Sequence, residues 1–340
     1  MVTAVHKRAL ALTMAALSSV FFVVAWAHPA HAQTVGLRFS AGLALNYLAT
    51  QQEPDGSIDE FASATDYYIL GATADGRNPN LLISSAGNSA YSFLASPGSG
   101  ATTTADRTGL LVQALVAGHR NPVNFAGQNI LGLLEGPGGT AGGFYNPATG
   151  DFFDFDSENI NTAYDQANAI LGLVVAHNPA YPVPAKAVAV LLSLQDPGGG
   201  WAADGVDNTN STAMAIMGLA SVGVFSADRA ALRFLHTQQD PATGGFFYTT
   251  TGSFPSTASD PDSDALVIQG LVAAGQNPGG LTWSINGRNA LTDIRTFQDL
   301  QPGSGFGGFA FELGTAPDPF TTSEVPPGLL ESPFPILPQF

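Results

Sequence analysis

The sequence predicts an all-α fold, an α6/α6 toroid in which six helical hairpins close into a ring. Three observations predict it. Segments that are apolar on one face alternate with segments that are apolar on every side. Glycine-rich turns join the two kinds of segment, and Asn-Pro dipeptides such as Asn121-Pro122 separate successive pairs. Because a helix that is apolar all round has to be buried, the second kind of segment is expected to form an inner layer.

The amphipathic segments are predicted to form the outer helices. Apolar residues recur three and four apart in them, as in Ala227, Ala231, Phe234 and Leu235, which is the period of a helix with one buried face. Most copies end in glutamine, and two copies are weaker. The main copies are 44–51, 185–195, 230–238 and 290–298, and the weaker copies are 86–96 and 126–136.

The uniformly apolar segments are predicted to form the inner helices. Each opens with Asp, Asn, Ser or Thr, which cap helix N-termini, and Gly118, Gly223 and Gly275 are expected to cap C-termini. Closing such hairpins into a ring removes the apolar ends that an open solenoid would expose. The inner segments with the strongest pattern are 106–118, 161–176, 210–223 and 262–275.

Residues 1–32 are predicted to be a cleavable signal peptide, and residues 33–340 a single toroid domain. His6-Lys7-Arg8 precede an apolar run, and Ala30-His31-Ala32 has the small-x-small pattern of a signal-peptidase site. An uncleaved anchor is the alternative, since the run is nearly long enough to span a bilayer. Under both alternatives the rest of the chain lies outside the cytoplasm, and the cleavable signal predicts a secreted or periplasmic protein.

Charge and composition exclude several classes of partner. The 340 residues hold 11 basic and 27 acidic side chains, a net charge of −16, and removal of Lys7 and Arg8 with the signal leaves 9 − 27 = −18. Such a surface repels phosphate backbones, so no nucleic-acid partner is expected, and no membrane contact beyond the export signal. Cysteine is absent, which excludes disulfides and thiolate zinc sites. We predict no cofactor.

The repeated turns carry a resemblance to a known family. The sequence QDPGGGW at 195–201 resembles the Gln-Trp repeat of squalene and oxidosqualene cyclases, and 238–246 and 298–309 are looser copies. The C-terminal run at 321–335 resembles the closing hairpin of secreted repeat proteins of the intrinsic-factor and transcobalamin type. The resemblance covers about residues 37–337 and implies the α/α toroid of the prenyltransferase and squalene-cyclase repeat family.

The same resemblance implies a candidate proton donor. Class II terpene cyclases protonate an alkene with the middle acid of an Asp-x-Asp-Asp-Thr-Ala motif at the start of an inner helix. Residues 260–265 resemble that motif, with Asp260 and Asp262 in the positions of the first two acids and Asp264 after Ser263, where the third acid is missing. The alternative is that Asp262 and Asp264 only cap a helix, as Asp106 and Asn210 are expected to do elsewhere.

Two acidic stretches have the alternate spacing that calcium loops use. Asp260, Asp262 and Asp264 form one, and the other is the turn Asp151, Asp154, Asp156 and Glu158. The position at which an EF-hand needs its late glutamate is Leu271, so that pattern fails and no metal site is predicted. Neither a His-Glu-x-x-His nor a Gly-x-Ser-x-Gly motif occurs.

Three functions are compatible with the sequence. The first is an exported binding protein, without catalytic activity, whose central cavity takes an apolar or corrinoid small molecule. The second is a class II cyclase-like enzyme that uses Asp262, and the third is a structural cell-surface domain with a filled centre. A ligand-binding cavity would be lined by inner-helix polar residues and by aromatic residues of the turns. These candidates are Asp106, Asp165, Asn210, Asp264, Tyr145, Trp201, Phe247 and Phe309.

Overall fold

The computed structural model describes residues 35–136, 143–153, 162–203, 205–253 and 255–338. Twelve α-helices lie within these ranges. They are α1 (Val35–Gln51), α2 (Ala62–Ala74), α3 (Ala90–Leu94), α4 (Ala105–Ala117), α5 (Ile130–Leu134), α6 (Ala163–Ala176), α7 (Ala185–Ser193), α8 (Thr209–Ser221), α9 (Asp228–Thr237), α10 (Pro261–Ala273), α11 (Ala290–Asp293) and α12 (Pro319–Leu329). The predicted signal peptide, residues 1–32, lies outside the described residues.

The even-numbered and odd-numbered helices form two layers. Twelve of the thirteen residues of α2 are buried, and α10 is buried to the same extent. In α9, by contrast, only Ala231, Phe234 and Leu235 are buried, and they form one stripe. The difference in pattern therefore separates an inner layer of even-numbered helices from an outer layer of odd-numbered helices, which confirms the predicted alternation.

The inner helices close into a ring. Each even-numbered helix packs against the next one along the chain, and α12 packs against α2. The outer helix α1 packs against α12, so the first and last hairpins are neighbours. Gln298 Nε2 crosses this junction and donates to Ser40 O at 2.9 Å. The predicted all-α arrangement of six hairpins is confirmed.

Small residues bring the inner helices close together. A Cβ atom added to Gly328 of α12 would lie 2.6 Å from Ala265 Cα of α10, and one added to Gly270 of α10 would lie 3.0 Å from Ala213 Cα of α8. No larger side chain fits at these contacts. The abundance of Gly and Ala in the inner segments, which weakens intrinsic helix propensity, is therefore required by tertiary packing.

The glutamines of the repeat tie successive hairpins together. Gln195 Nε2 donates to Gly199 O in its own turn (3.0 Å) and to Ala227 O before the next outer helix (3.1 Å). Gln239 makes the equivalent pair of bonds, to Gly244 O and Trp283 O, each at 2.9 Å. The sequence motif thus has a structural role, and in the fifth hairpin the glutamine in this role is Gln239 rather than the predicted Gln238.

Several predicted boundaries are wrong. The helices α3 and α5 have five residues each, because the chain turns before the N-caps Ser89 and Asn129. Gly118 does not adopt the left-handed conformation expected of a C-cap glycine (φ −91°), and the next residue, His119, does (φ 55°). An unpredicted ribbon, β1 (Trp201–Ala203) paired antiparallel with β2 (Val206–Asn208), leads into α8.

No helix among the described residues is long and apolar enough to cross a membrane. The longest apolar stretch of the sequence lies in residues 9–27, which the structure does not describe.

Candidate active site

The first turns of the inner helices open onto the inside of the ring, which we call the lumen. The second residue of every inner helix is partly exposed, although most of its helix is buried. These residues are Ser63, Asp106, Tyr164, Asn210, Asp262 and Phe320. Partial exposure at one repeated position of six buried helices indicates a space that all six line.

Side chains from five inner helices act on one another across this space. Burial raises the pKa of Tyr67 (α2) well above its usual value, and the charges of Glu324 (α12), Asp106 (α4) and Asp262 (α10) raise it further. Burial also raises the pKa of Tyr164 of α6, and the charges of Tyr67, Glu324 and Asp106 raise it further. We call Tyr67, Asp106, Tyr164, Asp262 and Glu324 the lumen cluster.

Asp260, not Asp262, caps α10. Asp260 Oδ1 accepts the backbone N–H of Ser263 at 2.7 Å, and Oδ2 accepts the Ser263 hydroxyl at 2.8 Å. Thr104 and Asn208 cap α4 and α8 in the same way. The expectation that Asp262, Asp106 and Asn210 are caps is therefore wrong, because each lies two residues beyond its cap and on the lumen side.

Burial favours the protonated form of Asp262. Burial raises its pKa well above the ordinary range, and the nearby charges of Glu324, Asp260 and Asp318 raise it further. Its Oδ1 atom is buried and has no hydrogen-bond partner among the described residues. Because Asp262 is partly exposed on the lumen side, its protonated carboxyl group is able to donate a proton to a bound molecule.

Glu324 is the second acid of the site, and sequence reasoning missed it. It comes from the sixth residue of α12, and burial, followed by the charges of Asp260 and Asp318, raises its pKa to about 8. The available signal was a single glutamate inside an otherwise uncharged segment at 319–330. Tyr67 and Tyr164 were also missed, although each is a tyrosine near the start of an apolar inner segment.

Within the part of the chain that the structure describes, basic side chains lie away from the lumen cluster. Arg38 and Arg77 pair with Asp75, and Arg120 stacks on the Tyr91 ring with its guanidinium carbon 4.0 Å from the centroid. Among the described residues, no Lys or Arg is a cause of the pKa shifts of Tyr67, Tyr164, Asp262 or Glu324. The site therefore favours neutral molecules and cations over diphosphates.

Asp264 points away from the lumen and supports the turn of its own hairpin. Its Oδ1 atom accepts the backbone N–H of Phe246 at 2.7 Å, and the residue is fully buried. Thr212 Oγ1 accepts the N–H of Trp201 in the same way at 3.0 Å. Asp264 occupies the position that threonine has in neighbouring hairpins.

The remaining candidates divide between the lumen and the turns. Asp106 and Asn210 face the lumen, whereas Asp165 forms a capping box with Thr162 at the start of α6. Tyr145, Trp201 and Phe309 are buried, and Phe247 is half-buried. Trp201 Nε1 donates to Leu191 O at 2.7 Å, which fixes the indole between helices. Ligand contact by these aromatic residues stays a prediction.

No group of three or more His, Cys, Asp or Glu side chains in the described ranges is arranged to hold a metal ion. The run at 260–264 is divided, since Asp260 caps the helix, Asp262 faces the lumen and Asp264 faces the turn. Of the second acidic stretch, Asp154, Asp156 and Glu158 lie outside the described residues.

Comparison with known proteins agrees with this architecture. A type II terpene cyclase from Scytonema in its apo form aligns with a TM-score of 0.55 and 15% identity over 86% of this chain and 97% of the cyclase. A variant of that cyclase in complex with geranylgeranyl dihydroxybenzoate, its substrate, aligns at 0.56 with 14% identity over 87% and 98% of the two chains. This chain has the fold of a type II terpene cyclase.

The fold alone does not define the activity. A glycosidase variant also aligns, with a TM-score of 0.50 and 13% identity over 86% of this chain and 95% of the glycosidase. No protein-family model matches the sequence, and no curated protein matches it. Function therefore has to be argued from the lumen cluster.

Proposed function

We propose that this protein is a class II terpene cyclase-like enzyme in which Asp262 protonates an alkene of a polyprenoid bound in the lumen. The observation that carries the proposal is the placement of Asp262, a neutral acid with an unpartnered buried oxygen, on the lumen side of α10. The shared fold with a type II terpene cyclase supports it.

In the proposed reaction the Asp262 O–H bond breaks and a C–H bond forms at a terminal alkene, which leaves a carbocation. Neighbouring alkenes attack this cation in turn, and a final C–H bond breaks to return a proton. Burial opposes the formation of an isolated Asp262 carboxylate, but the new cation lies next to that carboxylate and offsets the cost. The ring of Tyr164, which is partly exposed, is able to stabilise a nearby cation by about 0.5–2 kcal/mol.

The charge of the lumen limits the substrate. A diphosphate group would face Asp106 and Glu324 with no basic side chain from the described residues to bind it. We therefore propose a polyprenoid without a diphosphate, such as a hydrocarbon or a polyprenyl aromatic compound. Export through a cleaved signal at residues 1–32 remains part of the proposal.

The test is incubation with squalene and with diphosphate-free geranylgeranyl compounds, followed by mass-spectrometric detection of cyclised products. Asp262→Asn should lower turnover by a factor of about 100 or more, the usual range for loss of a general acid. Glu312→Gln, a charge change at an exposed loop residue, is the matched control and should keep full activity. Absence of cyclised product with folded wild-type protein would reject the enzyme.

A second candidate is a lumen that binds an apolar or corrinoid molecule without converting it. Ser263 favours this candidate, because it stands where the cyclase motif has its third acid and its hydroxyl donates to Asp260 rather than to Asp262. The acid strength of Asp262 is therefore not enhanced by that position. Ligand-induced thermal stabilisation by polyprenoids or corrinoids, with no product formed, would support binding over catalysis.

A further inference from the structure

Asp264 is an acid at a position where neighbouring hairpins have threonine. In those hairpins a hydroxyl oxygen accepts the N–H at the end of the glycine turn. The equivalent bonds are Ile58 N to Thr65 Oγ1 (2.9 Å), Trp201 N to Thr212 Oγ1 (3.0 Å) and Phe309 N to Thr322 Oγ1 (2.8 Å). Asp264 Oδ1 makes this bond to Phe246 N, which leaves Oδ2 buried with no donor within reach.

The group that faces Asp264 is a second carboxyl, that of Asp293 in α11. Both lie against Gly245, since a Cβ atom added there would be 2.0 Å from Asp293 Oδ2 and 2.8 Å from Asp264 Oδ1. The two carboxyl groups are therefore neighbours, and the charge of Asp293 raises the pKa of Asp264. Asp264 is 0% exposed and Asp293 is 4% exposed, so solvent water does not screen the two carboxyl groups from each other.

Two hydroxyl groups already bind Asp293 as a carboxylate. Ser259 Oγ donates to Asp293 Oδ2 at 2.5 Å, and Thr243 Oγ1 donates to the same atom at 3.1 Å. A carboxylate accepts hydrogen bonds only, so a charged Asp264 would present a second acceptor to it in a buried site. A proton on the Asp264 carboxyl group turns this repulsive pair into a donor and an acceptor.

The surroundings supply no positive charge that would keep both groups ionised. Asp240 and Asp260 are the other charged groups that act on the pair, and both are acids. Arg288 Nη1 donates to Ala242 O at 2.5 Å on the exposed side of the turn and is not a cause of either shift. Burial is the largest cause that raises the pKa of both Asp264 and Asp293.

We infer that Asp264 and Asp293 share one proton and form a pH-sensitive clasp between the fifth and sixth hairpins. The clasp joins the turn at 243–246, the first turn of α10 and the outer helix α11. A rise in pH removes the shared proton, and two adjacent buried carboxylates then repel each other. The same first turn of α10 carries Asp262, but the clasp does not rest on the proposed enzyme activity.

The test uses the full chain with Asp264→Asn, which imitates the protonated acid. Its amide oxygen keeps the bond from Phe246, and its NH2 group donates to Asp293 at every pH. We expect its thermal midpoint to equal that of wild type at pH 5.5 and to exceed it at pH 9. Asp264→Thr, the side chain of the neighbouring hairpins, should also weaken the dependence on pH. Glu312→Gln is the control and should follow wild type throughout.

Infrared spectroscopy reads the shared proton directly. Wild type at pH 7 should show the C=O absorption of buried protonated carboxyl groups. In Asp264→Asn this band should lose the intensity of one carboxyl group. In Asp293→Asn the frequency of the Asp264 band should change. The inference is overturned if the carboxyl band at pH 7 is the same in wild type and Asp264→Asn, or if the two proteins lose stability in parallel from pH 5.5 to 9. Neither readout depends on catalysis, so the cyclase proposal is tested separately.

Discussion

Tyr164 and Glu324 lie on helices α6 and α12, which are three positions apart in the ring of six, and the charge of Glu324 nevertheless raises the pKa of the Tyr164 hydroxyl. An effect of this kind between opposite helices requires both side chains to face the same interior space. The low dielectric of this interior sustains the interaction between the two groups.

Removal of the Glu324 charge should change the proton affinity of Asp262. Burial is the main cause of the high pKa of Asp262, and the charge of Glu324 is the largest electrostatic cause. Glu324→Gln should therefore lower the pKa of the Asp262 carboxyl, which a carbon-detected NMR titration measures. If the enzyme is active, its rate should fall at a lower pH in Glu324→Gln than in wild type. An Asp262 pKa that is the same in wild type and Glu324→Gln would show that the two acids do not interact.

Stability should decrease as the pH rises. Carboxyl groups of an unfolded chain lose their protons near pH 4, whereas burial raises the pKa of Glu135 and of Glu324 to about 8. Between these values the folded protein holds protons that the unfolded chain has released, so the free energy of unfolding falls with rising pH. Urea midpoints measured from pH 5 to 9 should fall with rising pH; a midpoint that rises between pH 5 and pH 8 would contradict this.

Asp66 offers a stabilising substitution. It is 0% exposed, neither carboxyl oxygen has a partner among the described residues, and burial raises its pKa well above the usual range. At the same position of α6, α8 and α10 the residue is alanine: Ala167, Ala213 and Ala265. Asp66→Ala should raise the free energy of unfolding at pH 8 by about 1–3 kcal/mol, because an uncompensated buried polar group is removed. A loss of stability in urea titrations would show that Asp66 has a structural partner.

The close contact between α10 and α12 should not tolerate a methyl group. A Cβ atom at Gly328 would lie 2.6 Å from Ala265 Cα, which forces the two helices apart. Gly328→Ala should therefore lower the free energy of unfolding by about 1–3 kcal/mol. Gly98→Ala is the control, since nothing lies within 4 Å of the added atom there and its φ is not positive. Equal thermal midpoints for the two variants would contradict the packing.

Much of the fold was predictable because the residues that recur in each repeat are those that pack or bond the hairpins together. The apolar periodicity marks which helices are buried, and the glutamine of 195–201 recurs because one side chain binds two backbone carbonyls. The short helices α3 and α5 were predicted too long, since turns at their starts are set by positive φ at positions such as Gly87 and Gly127. Both glycines lie inside the predicted segments 86–96 and 126–136, so the predicted helices extended across turns that glycine favours.

The site was predictable only in part. Asp262 was found through its motif. Glu324 was not, because Pro326 and Pro327 follow it and proline normally indicates the end of a helix, whereas both prolines lie inside α12. The role of Asp264 depends on its equivalence to Thr212 and on the approach of Asp293 from another hairpin. Contacts between distant segments of the chain decide both cases, and no local pattern contains them.

Cyclisation carried out in D2O shows whether Asp262 supplies the proton that starts the reaction. The acidic proton of Asp262 exchanges with solvent through the partly exposed lumen, so each product molecule should carry one deuterium at the carbon that was protonated. We expect a product that is heavier by about one mass unit in D2O and that Asp262→Asn forms at least about 100 times more slowly. A product without deuterium, or one formed equally well by Asp262→Asn, would contradict it.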